Sequence, residues 1–140
     1  MSKKSLFICL AVAVGAGTLY ASVSNVTIET KKVSPADSKA MYSSYCTPCH
    51  GVNGKGNGPL ASSLKRTPPD LTKLSRNNGG VFPIDHVIGV IGHGTSASGH
   101  DKAGMPNWAE ELGKIDQTNK VDTALRISNL SKYLETLQSK

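Results

Sequence analysis

Helices joined by glycine- and proline-rich loops are what this 140-residue chain predicts. Three observations carry that expectation. Ser34-Pro35-Ala36-Asp37 combines an N-cap, a proline at the first helical position and an acid at the capping-box position, so a helix should start near Pro35 and deliver Cys46. Ile127, Leu130, Leu134 and Leu137 recur at spacings of three, four and three, the core face of a helix from about Val121 to Gln138, with Tyr133 on its flank. Around the central cysteines there is no alternation of strands and helices of the kind that builds a parallel sheet.

From the N-terminus, Lys3 and Lys4 precede an apolar run from Leu6 to Ala16, and Leu19-Tyr20-Ala21 offers a small residue at a cleavage point before Ser22. Residues 1–21 thus read as a secretory signal peptide that is removed. The run is shorter than the roughly 20 apolar residues of a membrane span and is broken by Gly15, Gly17 and Thr18, so permanent membrane insertion is not expected. Cys9 lies inside the run, preceded by Ile8 rather than a small residue, and should leave with it. Residues 22–33 form a polar lead-in, and residues 34–140 make one domain, too short for two independent cores.

Within that domain, Gly51, Gly54, Gly56, Gly58, Pro59, Pro68 and Pro69 make the stretch from Gly51 to Asp70 a wrapping loop, with Leu71-Thr72 packing back at its end. After Gly79-Gly80, Phe82-Pro83-Ile84-Asp85 opens a second, short helix to about Ile91, stopped by Gly92 and Gly94. Residues 92–107 read as a further glycine-rich loop that ends in Gly104-Met105-Pro106-Asn107-Trp108. No internal repeat or low-complexity tract is visible.

The most specific feature is Cys46-Thr47-Pro48-Cys49-His50, the C-x-x-C-H attachment pattern of a covalently bound c-type haem. Two thiols add to the two vinyl groups of one porphyrin, and the adjacent imidazole reaches the iron from the same side. In an oxidising compartment a free C-x-x-C closes to a disulfide unless haem is attached first. A thioredoxin-like pair needs a βαβ setting that the flanking sequence lacks. A zinc site draws on a second Cys or His pair at tight spacing, whereas His86, His93 and His100 are seven apart and far downstream.

Charge excludes another class. The formal charge of +6 falls to +4 when Lys3 and Lys4 leave with the signal, and haem propionates lower it further. The remaining charges are scattered from Lys31 to Lys140 with no Lys/Arg block interleaved with aromatics, so nucleic acid is not an expected partner. A basic rim around a cofactor edge would steer encounters with an acidic redox protein, as a rate effect that salt weakens.

With C-T-P-C-H-G at 46–51, G-N-G-P at 56–59, P-P-D-L-T at 68–72 and G-M-P-N-W at 104–108, the chain resembles the small monohaem class I cytochromes c of bacterial periplasms, from about Ser34 to Leu137. The resemblance implies an all-α cytochrome c fold: N- and C-terminal helices crossing, a short middle helix, and one haem c in a crevice wrapped by Gly/Pro-rich loops. Ser38 stands where the family usually has glycine at the crossing, with Tyr42 and Tyr133 as contacts, which implies a slightly wider crossing.

The haem iron then takes two axial ligands. His50 is the first, because attachment places it beside the metal. For the second, Met105, Met41, His86, His93 and His100 are candidates. Met105 is preferred, since it lies in a glycine-flanked loop stiffened by Pro106, and the resemblance points to the same residue. Met41 suits a core, and His93 or His100 on the same loop as Met105 would give bis-His ligation of lower potential. By resemblance the Pro59 carbonyl accepts the His50 Nδ1 hydrogen. Trp108 would lie near a propionate or pack in the core, and Arg66 and Lys65 are solvated loop charges or propionate partners.

One-electron transfer is the implied function, with His/Met ligation suiting the high-potential end of a respiratory chain. Both axial positions filled by protein leave none for a substrate, so the chain is expected to be an electron carrier and not an enzyme. Its expected partners are a terminal oxidase, reductase or dehydrogenase in the periplasm. Two alternatives stand beside a monomeric shuttle: a fixed haem subunit of a larger periplasmic oxidoreductase, and a haem peroxidase or gas binder whose methionine dissociates.

Overall fold

The computed structural model describes residues 32–93, 104–115 and 120–139. The expected signal peptide 1–21, nearly all of the lead-in 22–33, and His100 lie outside them. The described residues are helical and contain no strand, as an all-α class requires. No helix among them is long and apolar enough to cross a membrane.

The first helix, α1, runs without a break over 38–50 in three segments: α-helical Ser38–Met41, a π-helical Tyr42–Cys46 and α-helical Thr47–His50. It begins later than the capping pattern predicts, and its cap is Asp37, whose Oδ1 accepts from the Ala40 N–H at 2.9 Å. Ser34 is occupied one turn earlier. Its Oγ accepts from the Ala36 N–H at 3.3 Å and its carbonyl from the Asp37 N–H at 3.1 Å. Ser34 to Asp37 therefore form a turn, a local use of serine that competes with capping. At the other end Gly51, with φ +78°, leaves helical space and stops the helix immediately after His50.

The loop after Gly51 contains one 3-10 turn, Ala61–Ser63, and otherwise folds back over the end of α1. The Gly56, Gly58 and Leu60 N–H groups donate to the carbonyls of His50, Cys49 and Pro48 at 2.9, 3.1 and 2.8 Å. These are the last-turn carbonyls that a helix leaves without intrahelical partners. Gly58 permits the approach, because a Cβ there would collide with the carbonyl oxygens of Thr47 and Pro48.

Leu71 packs back as expected, its N–H donating to the Gly54 carbonyl at 2.7 Å. It opens a 3-10 turn, Leu71–Lys73, capped by Asp70, which leads into α2, Leu74–Asn77. The next helix, α3, is Ile84–His93 and does not stop at Gly92. That glycine is buried inside the helix, where a Cβ would sit 3.7 Å from Ile127 Cδ1. Packing against a neighbouring helix outweighs a glycine penalty of about 1 kcal/mol.

Helix α4, Trp108–Ile115, is absent from the sequence expectations. Its signals are short: Asn107 Oδ1 accepts from the Glu110 N–H at 3.3 Å, two acids occupy the first turn, and Trp108, Leu112 and Ile115 follow helical spacing. The last helix, α5, is Lys120–Thr136, ending two residues before the expected Gln138.

Helix α5 packs against α1, α3 and α4. Its buried Ile127, Leu130 and Leu134 meet Met41, Tyr42 and Tyr45 of α1, Val87 and Ile91 of α3, and Trp108 and Leu112 of α4. Each such side chain contributes about 1.5–3 kcal/mol on burial. The Tyr42 and Tyr133 rings meet at 5.2 Å between centroids, a tilted pair in the range aromatic contacts favour. From the middle of α5, Asn129 Nδ2 donates to the Pro35 carbonyl at 2.9 Å, and the Arg126 guanidinium donates to the Val33 carbonyl. The chain entering α1 is thereby tied to α5.

Candidate functional site

The elements converge on one mostly apolar cleft with about 1180 Å³ of space free of protein atoms, part of it open to solvent. Its floor includes Leu130 and Leu134 of α5, with Val87, Val90 and Ile91 of α3 beside them. A second wall is the chain from Leu64 to Leu74, where Pro68, Pro69, Leu71 and Leu74 face the space.

The final turns of α1 supply Cys46, Cys49 and His50 to the same cleft. Cys46 and Cys49 are three residues apart in a helix and so share a side. Both are free thiols and partly buried. His50 follows directly, with its Nδ1 buried from solvent. The loop clasped over the carbonyls of Pro48, Cys49 and His50 holds this turn from behind. Tyr42 adds a brace: its hydroxyl donates to the Gly51 carbonyl at 2.8 Å.

From far along the chain, Met105, Pro106 and Trp108 reach the cleft as well. Trp108 is 4 % exposed, and its ring meets Tyr45 at 5.6 Å, so its packing role is real whatever its indole N–H does. Arg66, Thr67 and His86 are further polar side chains lining the apolar space.

The remaining candidates sit elsewhere. Met41 is fully buried in the core, off the cleft, with its Sδ 3.8 Å from the Arg126 guanidinium. His93, at the end of α3, is exposed and off the cleft, as are Pro59 and Lys65. His100 is outside the described residues. Arg126 escaped the sequence reading altogether. It is 1 % exposed, and its Nε makes no hydrogen bond. The available signal was its position beside Ile127 and four before Leu130, inside the apolar stripe.

Electrostatics separate this site from thiol chemistry. Burial pushes the Cys46 thiol up to about 12, with the neighbouring Cys49 adding to it, and burial raises Cys49 too. Reactive thiol pairs depend on the opposite, a thiolate favoured by nearby positive charge. Burial likewise lifts the Tyr42 phenol to about 12, so it stays a hydrogen-bond donor at neutral pH. Among the described residues no three His, Cys, Asp or Glu side chains gather around a point where a bare metal ion could sit. Two thiols, an imidazole and a thioether spread around a broad apolar space suit a large flat ligand carrying a soft or borderline metal.

The chain matches no family model, no characterised protein and no solved structure in the comparisons made.

Proposed function

We propose that this chain is a class I c-type cytochrome, a periplasmic one-electron carrier with a single covalently attached haem. The observation that carries the reading is the meeting of Cys46, Cys49, His50 and Met105 on one apolar cleft, although Met105 lies in a separate segment of the chain. The residues fit such a group. The cleft is wide and apolar, two thiols share one side of a helix end, and an imidazole with a buried Nδ1 stands next to them.

When bound, the haem supplies a one-electron ferrous/ferric couple. Cys46 and Cys49 would hold it as thioethers. His50 and Met105 would hold its iron, and two protein ligands would leave no position for a substrate. Trp108, in contact with Tyr45, would close the space near Met105. Apolar walls from α3, α5 and residues 64–74 exclude water and favour the less charged ferrous state, while the thioether ligand raises the potential. Export by the N-terminal signal supplies the compartment in which acidic oxidase, reductase or dehydrogenase partners are met.

Co-expression with a c-type haem maturation system tests the reading. Haem that stays with the chain through denaturing electrophoresis and acid-solvent extraction is the expected result, and it should be lost when Cys46 and Cys49 are both replaced by serine. A folded chain that emerges from such cells without covalent haem overturns the proposal.

A further inference from the structure

The C-terminal side chain Gln138 joins the floor of the cleft to one of its walls. Its Oε1 accepts from the Ser75 N–H at 2.9 Å, and its Nε2 donates to the carbonyls of Leu71 and Leu134, both at 2.8 Å. Next to it, the Ser139 N–H and Oγ both reach the Thr72 carbonyl, at 2.9 and 3.0 Å. Leu71, Leu74 and Leu134 all line the cleft. Gln138 is half-buried and uses both ends of its amide, so the contact works in one orientation only.

Among the described residues, this wall's other ties include the packing of Leu71 and Leu74 against the core and a hydrogen bond from the Gly80 N–H to the Ser75 carbonyl at 2.8 Å. The segment at 71–77 consists of a 3-10 turn and a single short helix, and one further backbone hydrogen bond runs from Leu71 to Gly54. Short elements of this kind open locally at low cost. A glutamine that closes two hydrogen bonds across more than sixty residues of sequence, and a third to Leu134 four residues back, is therefore placed to set how tightly this wall shuts.

We propose that Gln138 is a positioning residue that latches the Leu71–Leu74 wall onto α5 and so sets water access to the cleft and the reduction potential of the group within it. The claim about potential rests on the haem-carrier reading, whereas the latch itself does not. Water entering beside Leu71 and Leu74 stabilises the more charged, oxidised state, so loosening the wall lowers the potential.

The test uses the full chain matured with haem, and compares the wild type with Gln138→Glu and Gln138→Met. Amide hydrogen exchange at residues 71–75 reads the latch, and the equilibrium reduction potential reads its consequence. In Gln138→Glu at neutral pH a carboxylate faces two carbonyls it cannot donate to. Exchange at 71–75 should rise roughly tenfold, the effect of losing one or two modest hydrogen bonds, with a downward shift in potential. Both should recover as the carboxyl protonates and regains a donor. The joined segments also carry Asp70, Lys73, Arg76, Lys132 and Glu135, so the wild type measured over the same pH range accounts for their titration.

If Gln138→Glu does not fold, Gln138→Met gives the same reading without the pH recovery. Unchanged exchange and potential overturn the proposal, as does exchange that rises uniformly over all helices in step with global unfolding. A localised rise in exchange with no shift in potential overturns the link to the redox site. If the chain carries no haem in any form, the carrier reading has failed, and the exchange measurement still decides the latch.

Discussion

The Tyr42 hydroxyl donates to the Gly51 carbonyl across 2.8 Å, tying the middle of α1 to the residue that ends it. The bond spans the segment that bears Cys46, Cys49 and His50, so the two thiols and the imidazole sit on a turn braced at both ends. Removing the hydroxyl takes away one of two hydrogen bonds to that carbonyl, which also accepts from the Gly54 N–H at 3.2 Å, at a cost of about 0.5–1.5 kcal/mol. Tyr42→Phe should lower the unfolding free energy measured in urea by that amount while keeping the aromatic contact with Tyr133. A variant as stable as the parent would show that water replaces the hydroxyl.

Arg126 is a buried cation whose hydrogen-bonding partners are the Val33 carbonyl and the thioether of Met41. Desolvating a charge costs several kcal/mol, whereas one hydrogen bond to a charged donor returns about 1.5–3. An apolar side chain of similar length should therefore be tolerated. Arg126→Met is expected within about 1 kcal/mol of the parent, and Arg126→Ala to lose about 3 kcal/mol through the cavity it leaves. Equal losses in the two variants, measured by chemical unfolding, would show that the charge itself is needed.

Asp70 caps the turn that begins the Leu71–Leu74 wall. Its hydrogen bonds from Thr72, followed by that from Lys73, hold the carboxyl at about 2, below its ordinary value of 3.8. A group whose folded-state value is depressed stabilises the fold above its unfolded value, and that contribution disappears as pH falls toward the folded one. The Asp70 contribution is thus present above pH 3.8 and is lost on acidification toward pH 2. Asp70→Asn keeps a capping oxygen and removes the titration, so its thermal midpoint should fall less steeply than the parent's between those pH values. Parallel acid limbs would assign that part of the acid sensitivity to other groups.

Met105 carries the proposed second axial contact from the loop that precedes α4. Met105→Ala should lower the reduction potential and let an added ligand such as imidazole bind with at least tenfold higher affinity, as a protein thioether no longer competes for the position. Turnover with peroxide appearing in the variant but not in the parent would fit a carrier whose closed iron prevents catalysis. If the potential and spectrum of the variant match the parent, another side chain holds that position, and His86, already on the cleft, is the first to replace.

Spacing alone determined a good deal. Local rules were enough for the approximate helices near 35–46, 82–91 and 121–138 and the loop character of 51–70, and they singled out Cys46, Cys49, His50 and Met105 as candidates, because cap, turn and motif signals act within a few residues. Only the tertiary structure decided where the helices begin and end. Ser34 was used in a turn so that Asp37 took the cap, and Gly92 stayed helical because Ile127 packs against it. The short α4 needed its partners, since eight residues, little more than two turns, are too few to stand alone. Distance in sequence hid the rest. That Met105 shares a cleft with Cys46, that Arg126 is buried under the entry to α1, and that Gln138 fastens residues 71–75 are consequences of which helix faces meet. Those meetings depend on burial summed over the whole chain rather than on any local pattern.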